Sequence, residues 1–134
     1  MGLAALLHDI GLESLPKEIQ AKREEEMTPD ELELYQTHPF LGMDILRRIP
    51  GIDPVVIQAV GQHHERRTGK GYPGRLGANS INLVSETIGL SEELVIQMER
   101  AVANPALNVA AEMERLHSDG FSSSVFTTLK ILLR

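Results

Sequence analysis

Apolar residues recur at three- and four-residue spacing along most of this chain, and a proline or glycine cuts off each run, which leaves helices as the elements it can build. Leu3, Leu6, Leu7 and Ile10 come first, ahead of Gly11, and predict a helix over residues 1–10 with His8 and Asp9 on its last turn. Residues 16–27 read as a charged connection with room for a short helical turn. Thr28-Pro29-Asp30-Glu31 then marks a helix start, since Thr28 can cap, Glu31 can reach back, and Pro29 suits the first helical position. That helix runs towards Thr37, where Pro39 removes a backbone donor and puts His38 at a kink or a fresh start. Phe40, Met43, Leu46 and Ile49 continue an apolar face as far as Pro50-Gly51. Asp53-Pro54 opens the next helix, with Val56, Ile57 and Val60 inward and His63-His64 near its end. Gly69, Gly71, Pro73 and Gly74 make a loop, and further helices are expected over residues 80–88, from a Ser91 cap to about Val102, and over 105–117 and 122–133.

The chain has 134 residues, 42% of them hydrophobic, which is enough for one domain with its own core. With 4% aromatic residues and no Trp, that core is built of Leu, Ile, Val, Met and Ala, which suits packed helices better than a sandwich of strands. The expected class is all-α. The absence of cysteine excludes disulfides, zinc-thiolate sites and cysteine nucleophiles, so any metal must sit on His, Asp or Glu. A formal charge of -6 excludes a broad positive footprint for a nucleic-acid polymer. Arg66, Arg67, Lys70 and Arg75 nevertheless fall in one stretch with only Glu65 against them, a local basic patch that suits a small anionic ligand or else a solvated helix end. The apolar runs are too short for membrane insertion, and Met1 to Leu7 lacks the features of a secretion signal, so a cytoplasmic protein is expected.

Candidate ligands recur on separate helices: His8-Asp9, His38, His63-His64 and Glu86. They can converge only in a folded bundle. Imidazoles joined by a carboxylate suit first-row divalent metals, and a carboxylate can bridge two ions about 3.5–4 Å apart, the separation used in two-metal hydrolysis. Asp9 is the candidate bridge. Each pair has a plainer reading taken alone: a helix-end hydrogen bond for His8-Asp9, a cap for His38, a solvated face for Glu86. Their joint occurrence beside a glycine-rich basic loop favours metal next to phosphate. His117, near Ser118 and Gly120, has no such company and reads as a surface residue.

In order, LLHDIG at Leu6 to Gly11, THPFLG at Thr37 to Gly42, and HHERRTGKGYP at His63 to Pro73 resemble the successive motifs of HD-GYP domains, bacterial relatives of the HD phosphohydrolases. The resemblance covers nearly the whole chain. It implies an HD-type helical bundle of about six to eight helices, forming one domain over residues 1–134 with N-terminal helix or helices of the family missing upstream. It further implies a centre of two or three metals, commonly iron or manganese, that hydrolyses cyclic di-GMP to pGpG or GMP in bacterial signalling. On this basis His8 and Asp9 are metal ligands at the catalytic centre, His38, His63 and His64 are further ligands, and Glu86 stands where the family has an aspartate ligand. Arg66, Arg67, Lys70 and Tyr72 are then candidates to hold the substrate's phosphate or bases. Gly71, Tyr72 and Pro73 shape the loop beside the substrate and are associated with recognition of a signalling protein partner; a homodimer is compatible with the resemblance.

Departures from the family pattern define a second reading. Leu12 stands where a lysine usually follows HDIG, Thr68 where an aspartate precedes the first loop glycine, and Glu86 where an aspartate is usual. A ligand that family members supply upstream of His8 has no counterpart in this sequence. A degenerate signalling module that keeps the scaffold and acts through ligand or protein binding is therefore the alternative to a metal-dependent cyclic di-GMP phosphodiesterase. A phosphohydrolase acting on another nucleotide is the third.

Overall fold

A computed structural model describes residues 1–133. Among them the chain forms eight α-helical segments, one of them a single turn, and no strand beyond an isolated bridge between Thr68 and Gly77. In chain order these are α1 (Gly2–Leu7), α2 (Lys17–Gln20), α3 (Pro29–Tyr35), α4 (His38–Arg47), α5 (Pro54–Gln62), α6 (Leu83–Ala103), α7 (Val109–His117) and α8 (Ser123–Leu132), with 3-10 turns at Ile10–Ser14, Glu24–Glu26 and Ala78–Ser80. No helix among the described residues is long and apolar enough to cross a membrane.

The helix starts follow from capping chemistry. Thr28 Oγ1 accepts from the Glu31 amide at 3.3 Å while the Glu31 carboxylate accepts from the Thr28 amide at 2.9 Å, closing the expected box at the head of α3. Asp53 accepts from the Val55 amide at 2.8 Å and Pro54 takes the first position of α5. Two further caps fall at Asn82, which starts α6, and Asn108, which starts α7, a few residues later than the sequence suggests.

Three local expectations are corrected. The first helix stops at Leu7 rather than Ile10, and His8 and Asp9 occupy the break before a 3-10 turn. The two helices expected over residues 80–102 are one continuous α6, because Ser91 does not cap: its hydroxyl donates to the Thr87 carbonyl one turn back, at 2.7 Å. Of the four apolar residues expected on one face, Leu46 is the one fully buried, while Phe40 and, just beyond α4, Ile49 face solvent, since the side of α4 towards the first 3-10 turn and α5 carries His38, Gly42 and Leu46.

Two apolar groups hold the helices together. Ala4, Ala59 and Ile88 join α1, α5 and α6, and Leu90, Met113, Phe121, Phe126 and Leu129 join α6 to α7 and α8. Gly11 sets the approach of the first 3-10 turn to α4, because a Cβ there would overlap the His38 carbonyl oxygen and crowd the Gly42 amide. The contact is backbone against backbone, so no rotamer change relieves it. Gly11→Ala is expected to lower unfolding free energy by about 1–3 kcal/mol or more, read as a lower urea midpoint at unchanged m-value; an unchanged midpoint would show that the approach is not tight.

Candidate metal centre

The break after α1, the first turn of α4 and the end of α5 meet at one point. His38 and His63 are fully buried there, and Asp9 and His64 complete a group whose ligand atoms all lie within 4.8 Å of one another. A second group, His8, Asp9 and Glu92, shares Asp9. The two oxygens of Asp9 are divided between them. Oδ1 faces His38 Nε2 at 3.4 Å and His63 Nε2 at 3.6 Å, and Oδ2 faces His8 Nε2 at 3.2 Å. Glu92 closes the second group from α6, 3.2 Å from the same His8 nitrogen.

Three of the imidazoles are held the same way. His8, His38 and His63 direct Nδ1 at the carbonyl three residues earlier, of Ala5, Tyr35 and Val60, at 2.6, 2.7 and 2.6 Å. A carbonyl only accepts, so each Nδ1 carries the proton and, in the neutral ring, each Nε2 presents its lone pair to the centre. His38 Nε2 and His63 Nε2 then stand 3.3 Å apart as two lone pairs beside Asp9 Oδ1, a buried oxygen with no hydrogen-bond partner. His64 Nε2 and Glu92 Oε2 are also buried and unpartnered. Converging acceptors without donors repel one another and are costly to bury. A cation among them removes that cost, and three imidazoles with one carboxylate suit a first-row divalent metal. The residues present fit the group that the sequence implies.

Charges at the centre are strongly perturbed. Hydrogen bonding to Asp9 and then to Glu92 raises the His8 pKa to about 10, against the opposing effect of burial. Burial alone would raise Asp9, but donation from His38, His63 and His8, when those rings carry an Nε2 proton in place of a metal, holds its carboxyl far below the usual carboxylate range. Burial above all holds His64 well below the usual imidazole value, which keeps its ring neutral.

The loop after α5 is folded onto this centre. The Glu65 carboxylate, 2% exposed, accepts from the Gly74 amide at 2.5 Å and the Leu76 amide at 2.8 Å, and the Tyr72 amide donates to the His64 carbonyl at 3.1 Å. Tyr72 thereby stacks on His64, ring centroids 4.5 Å apart and 17° from parallel, with its hydroxyl buried and unpartnered. Gly71 is buried beneath, and Pro73 and Lys70 are exposed. Across the centre Tyr35 packs its ring 4.8 Å from that of His38 and lines a polar cavity of about 640 Å3 with Arg23, Glu24, Glu93 and Arg100.

The structure brings together His8, Asp9, His38, His63 and His64 and leaves other expected residues apart. Glu86, expected as a ligand, lies outside both groups: its carboxylate pairs with Arg67 at 3.1 Å and accepts from the Ser122 amide at 2.7 Å. Glu92, six residues further along α6, is the α6 carboxylate in the second group, a residue obscured by reading Ser91 as the cap of a new helix. Arg66 and Arg67, expected at the substrate, turn to protein partners, Arg66 to Glu93 at 2.7 Å and Arg67 to Glu86. His117, expected at the surface, is half-buried and lines the polar cavity.

A helical bundle whose buried histidines converge on a shared aspartate defines a class of metal-dependent hydrolases. The chain belongs to the HD domain family, whose model matches residues 1–122, and within it is a divergent relative of the HD-GYP phosphodiesterases. It is 37% identical over 84 residues, 63% of this chain and 20% of the relative, to a cyclic di-GMP phosphodiesterase of Pseudomonas aeruginosa. It is 34% identical over 90 residues, 67% of this chain and 20% of the relative, to a 3'3'-cGAMP-specific phosphodiesterase of Vibrio cholerae. The chain thus spans a fifth of the length of these two relatives. Its fold is similar to that of an HDG"Y"P protein of Bdellovibrio bacteriovorus, with a TM-score of 0.72 and 22% identity over 97% of this chain and 42% of the other.

Replacing Glu86 and Glu92 in turn separates the roles of these two α6 carboxylates. Glu92→Gln is expected to weaken metal binding by about 10- to 100-fold, within the range seen when a ligand or its support is altered. Glu86→Gln is expected to leave metal content unchanged and to cost about 1–3 kcal/mol of stability through its buried partners. Elemental analysis with urea unfolding of both variants tests this, and the reverse pattern would restore Glu86 as the ligand.

Proposed function

We propose that this chain is the hydrolytic domain of a cyclic dinucleotide phosphodiesterase, with cyclic di-GMP as substrate and the linear dinucleotide pGpG as first product. The observation that carries the reading is the division of Asp9 between two histidine-bearing groups, each oxygen facing one of them. Bound there, two divalent ions, iron or manganese by the family resemblance, would supply Lewis-acid polarisation of the phosphate and an activated water. His38, His63, His64 and Asp9 would hold one ion, and His8, Asp9 and Glu92 the other.

The chain's own contribution is positioning. Carbonyl-tethered imidazoles keep their lone pairs fixed towards the centre and require little rearrangement on loading. Tyr72 covers His64 and keeps bulk water from that side. The polar cavity walled by Tyr35 offers room for a nucleotide beside the centre, with Arg23 as a cation and Glu24 as an acceptor for base N–H groups, while Arg100 is paired with Glu25 at 3.1 Å in the same wall. Lys70 is free of ion pairs among the described residues and remains available to a phosphate, as does the Tyr72 ring to a base or the exposed Pro73 to a protein partner. The names of the relatives, one acting on cyclic di-GMP and one on 3'3'-cGAMP, support a cyclic dinucleotide over a mononucleotide.

A second reading, a binding module with little turnover, is favoured by Leu12. Its amide bonds to the Asp9 carbonyl at 2.9 Å, which places an apolar side chain three residues from the shared carboxylate where the family carries a lysine. Manganese-loaded protein is expected to convert cyclic di-GMP to pGpG by chromatography, faster than 3'3'-cGAMP or a mononucleotide, and Asp9→Asn is expected to lower the rate at least about 100-fold. No product from loaded wild type, with turnover appearing in Leu12→Lys at equal metal content, would decide for the binding module.

A further inference from the structure

Arg66 stands at the junction of three elements. One of its terminal nitrogens donates to the carbonyls of His63, at 3.0 Å, and Glu65, at 2.9 Å, at the end of α5. The other donates to Glu93 on α6 at 2.7 Å, and the guanidinium lies 4.7 Å from the centre of the Phe121 ring in the turn between α7 and α8. The side chain is only 15% exposed, and its strong donors all point inward.

Glu93 follows Glu92 directly on α6. Successive helical residues are separated by about 100° around the axis, so whatever fixes Glu93 against α5 also fixes the direction of Glu92. Gly89, one turn before Glu93 on the same side of α6, meets the same surface: a Cβ there would overlap the His63 carbonyl oxygen and lie 3.0 Å from the Arg66 guanidinium. Gly89 lets α6 come close to the end of α5, and the Arg66–Glu93 pair sets its rotation. The carbonyl held by Arg66 belongs to His63, itself in the first ligand group.

We infer that Arg66 is a positioning residue for the second metal: its fork to the His63 carbonyl and to Glu93 sets the rotation of α6 that brings Glu92 opposite His8. This rests on the two-metal reading above. Its effect is unequal between the two groups. His38, His63, His64 and Asp9 come from α4, α5 and the break after α1, so they assemble without α6, whereas His8, Asp9 and Glu92 need it. A lysine at position 66 keeps the charge but lacks the planar fork that reaches two carbonyls and a carboxylate together.

Manganese titration by equilibrium dialysis, with electron paramagnetic resonance to detect a coupled pair of ions, tests the inference on wild type, Arg66→Lys and Glu93→Gln. Wild type is expected to bind two ions as a coupled pair. Both variants are expected to bind the first with unchanged affinity and the second about 10- to 100-fold more weakly, with loss of the coupling signal. Glu93→Gln leaves Arg66 in place, so it reports even if Arg66→Lys does not fold. Variants that bind both ions as wild type does, or lose both in equal measure, would overturn the positioning role alone. Wild type that binds fewer than two ions would overturn the two-metal reading and this inference with it.

Discussion

The carboxylate of Asp9, half-exposed but with its Oδ1 buried, is the constraint around which the rest of this molecule is arranged. It lies at the end of the first helix among three imidazoles whose protonated nitrogens are already engaged by backbone carbonyls. Nothing on the protein side can donate to it except a protonated ring, and His8, squeezed between Asp9 and Glu92, is the ring that takes up that proton. The buried acceptors around Asp9 Oδ1, the Nε2 atoms of His38 and His63, have a cost that hydrophobic packing does not offset locally, and a divalent cation would relieve it. On the proposed function the same arrangement would serve the chemistry, because acceptors held in place before loading need no reorganisation afterwards.

Helices bring these residues together through unusually close backbone approaches. The first 3-10 turn rests on α4 through Gly11, and α6 rests on the end of α5 through Gly89. One contact lies two residues from Asp9 and the other three from Glu92. The polar links nearby serve the same end: Glu65 holds the loop that carries Tyr72, and the Arg67–Glu86 pair with the Ser122 amide joins that loop to α6 and to the start of α8. Two of the four cations in the segment after His64, Arg66 and Arg67, are engaged by protein carboxylates rather than left to solvent.

Much of this was legible in the sequence because the signals are local. Thr28, Asp53 and Pro54 announce helix starts by chemistry that acts within three residues, and the HD, HP and HHE motifs name five of the six residues now found in the two groups. The sixth was not legible. Glu86 and Glu92 sit on one helix, and only the rotation of α6 against α5 decides which faces His8 and which faces Arg67, a tertiary property that no spacing rule carries. Ser91 misled for a related reason: its hydroxyl serves equally well as a cap or as a bond to the preceding turn, and the packed face of α6 selects the second. Arg66 and Arg67 looked available to an anion because their partners, Glu93 and Glu86, lie 27 and 19 residues away.

On the proposed function Asp9 joins two metal positions. Anomalous diffraction from crystals of the protein grown with manganese addresses this most directly. Two peaks on opposite sides of the Asp9 carboxylate are predicted, one among His38, His63 and His64 and one between His8 and Glu92. Absence of either peak, or a second peak at Glu86 rather than Glu92, would contradict it.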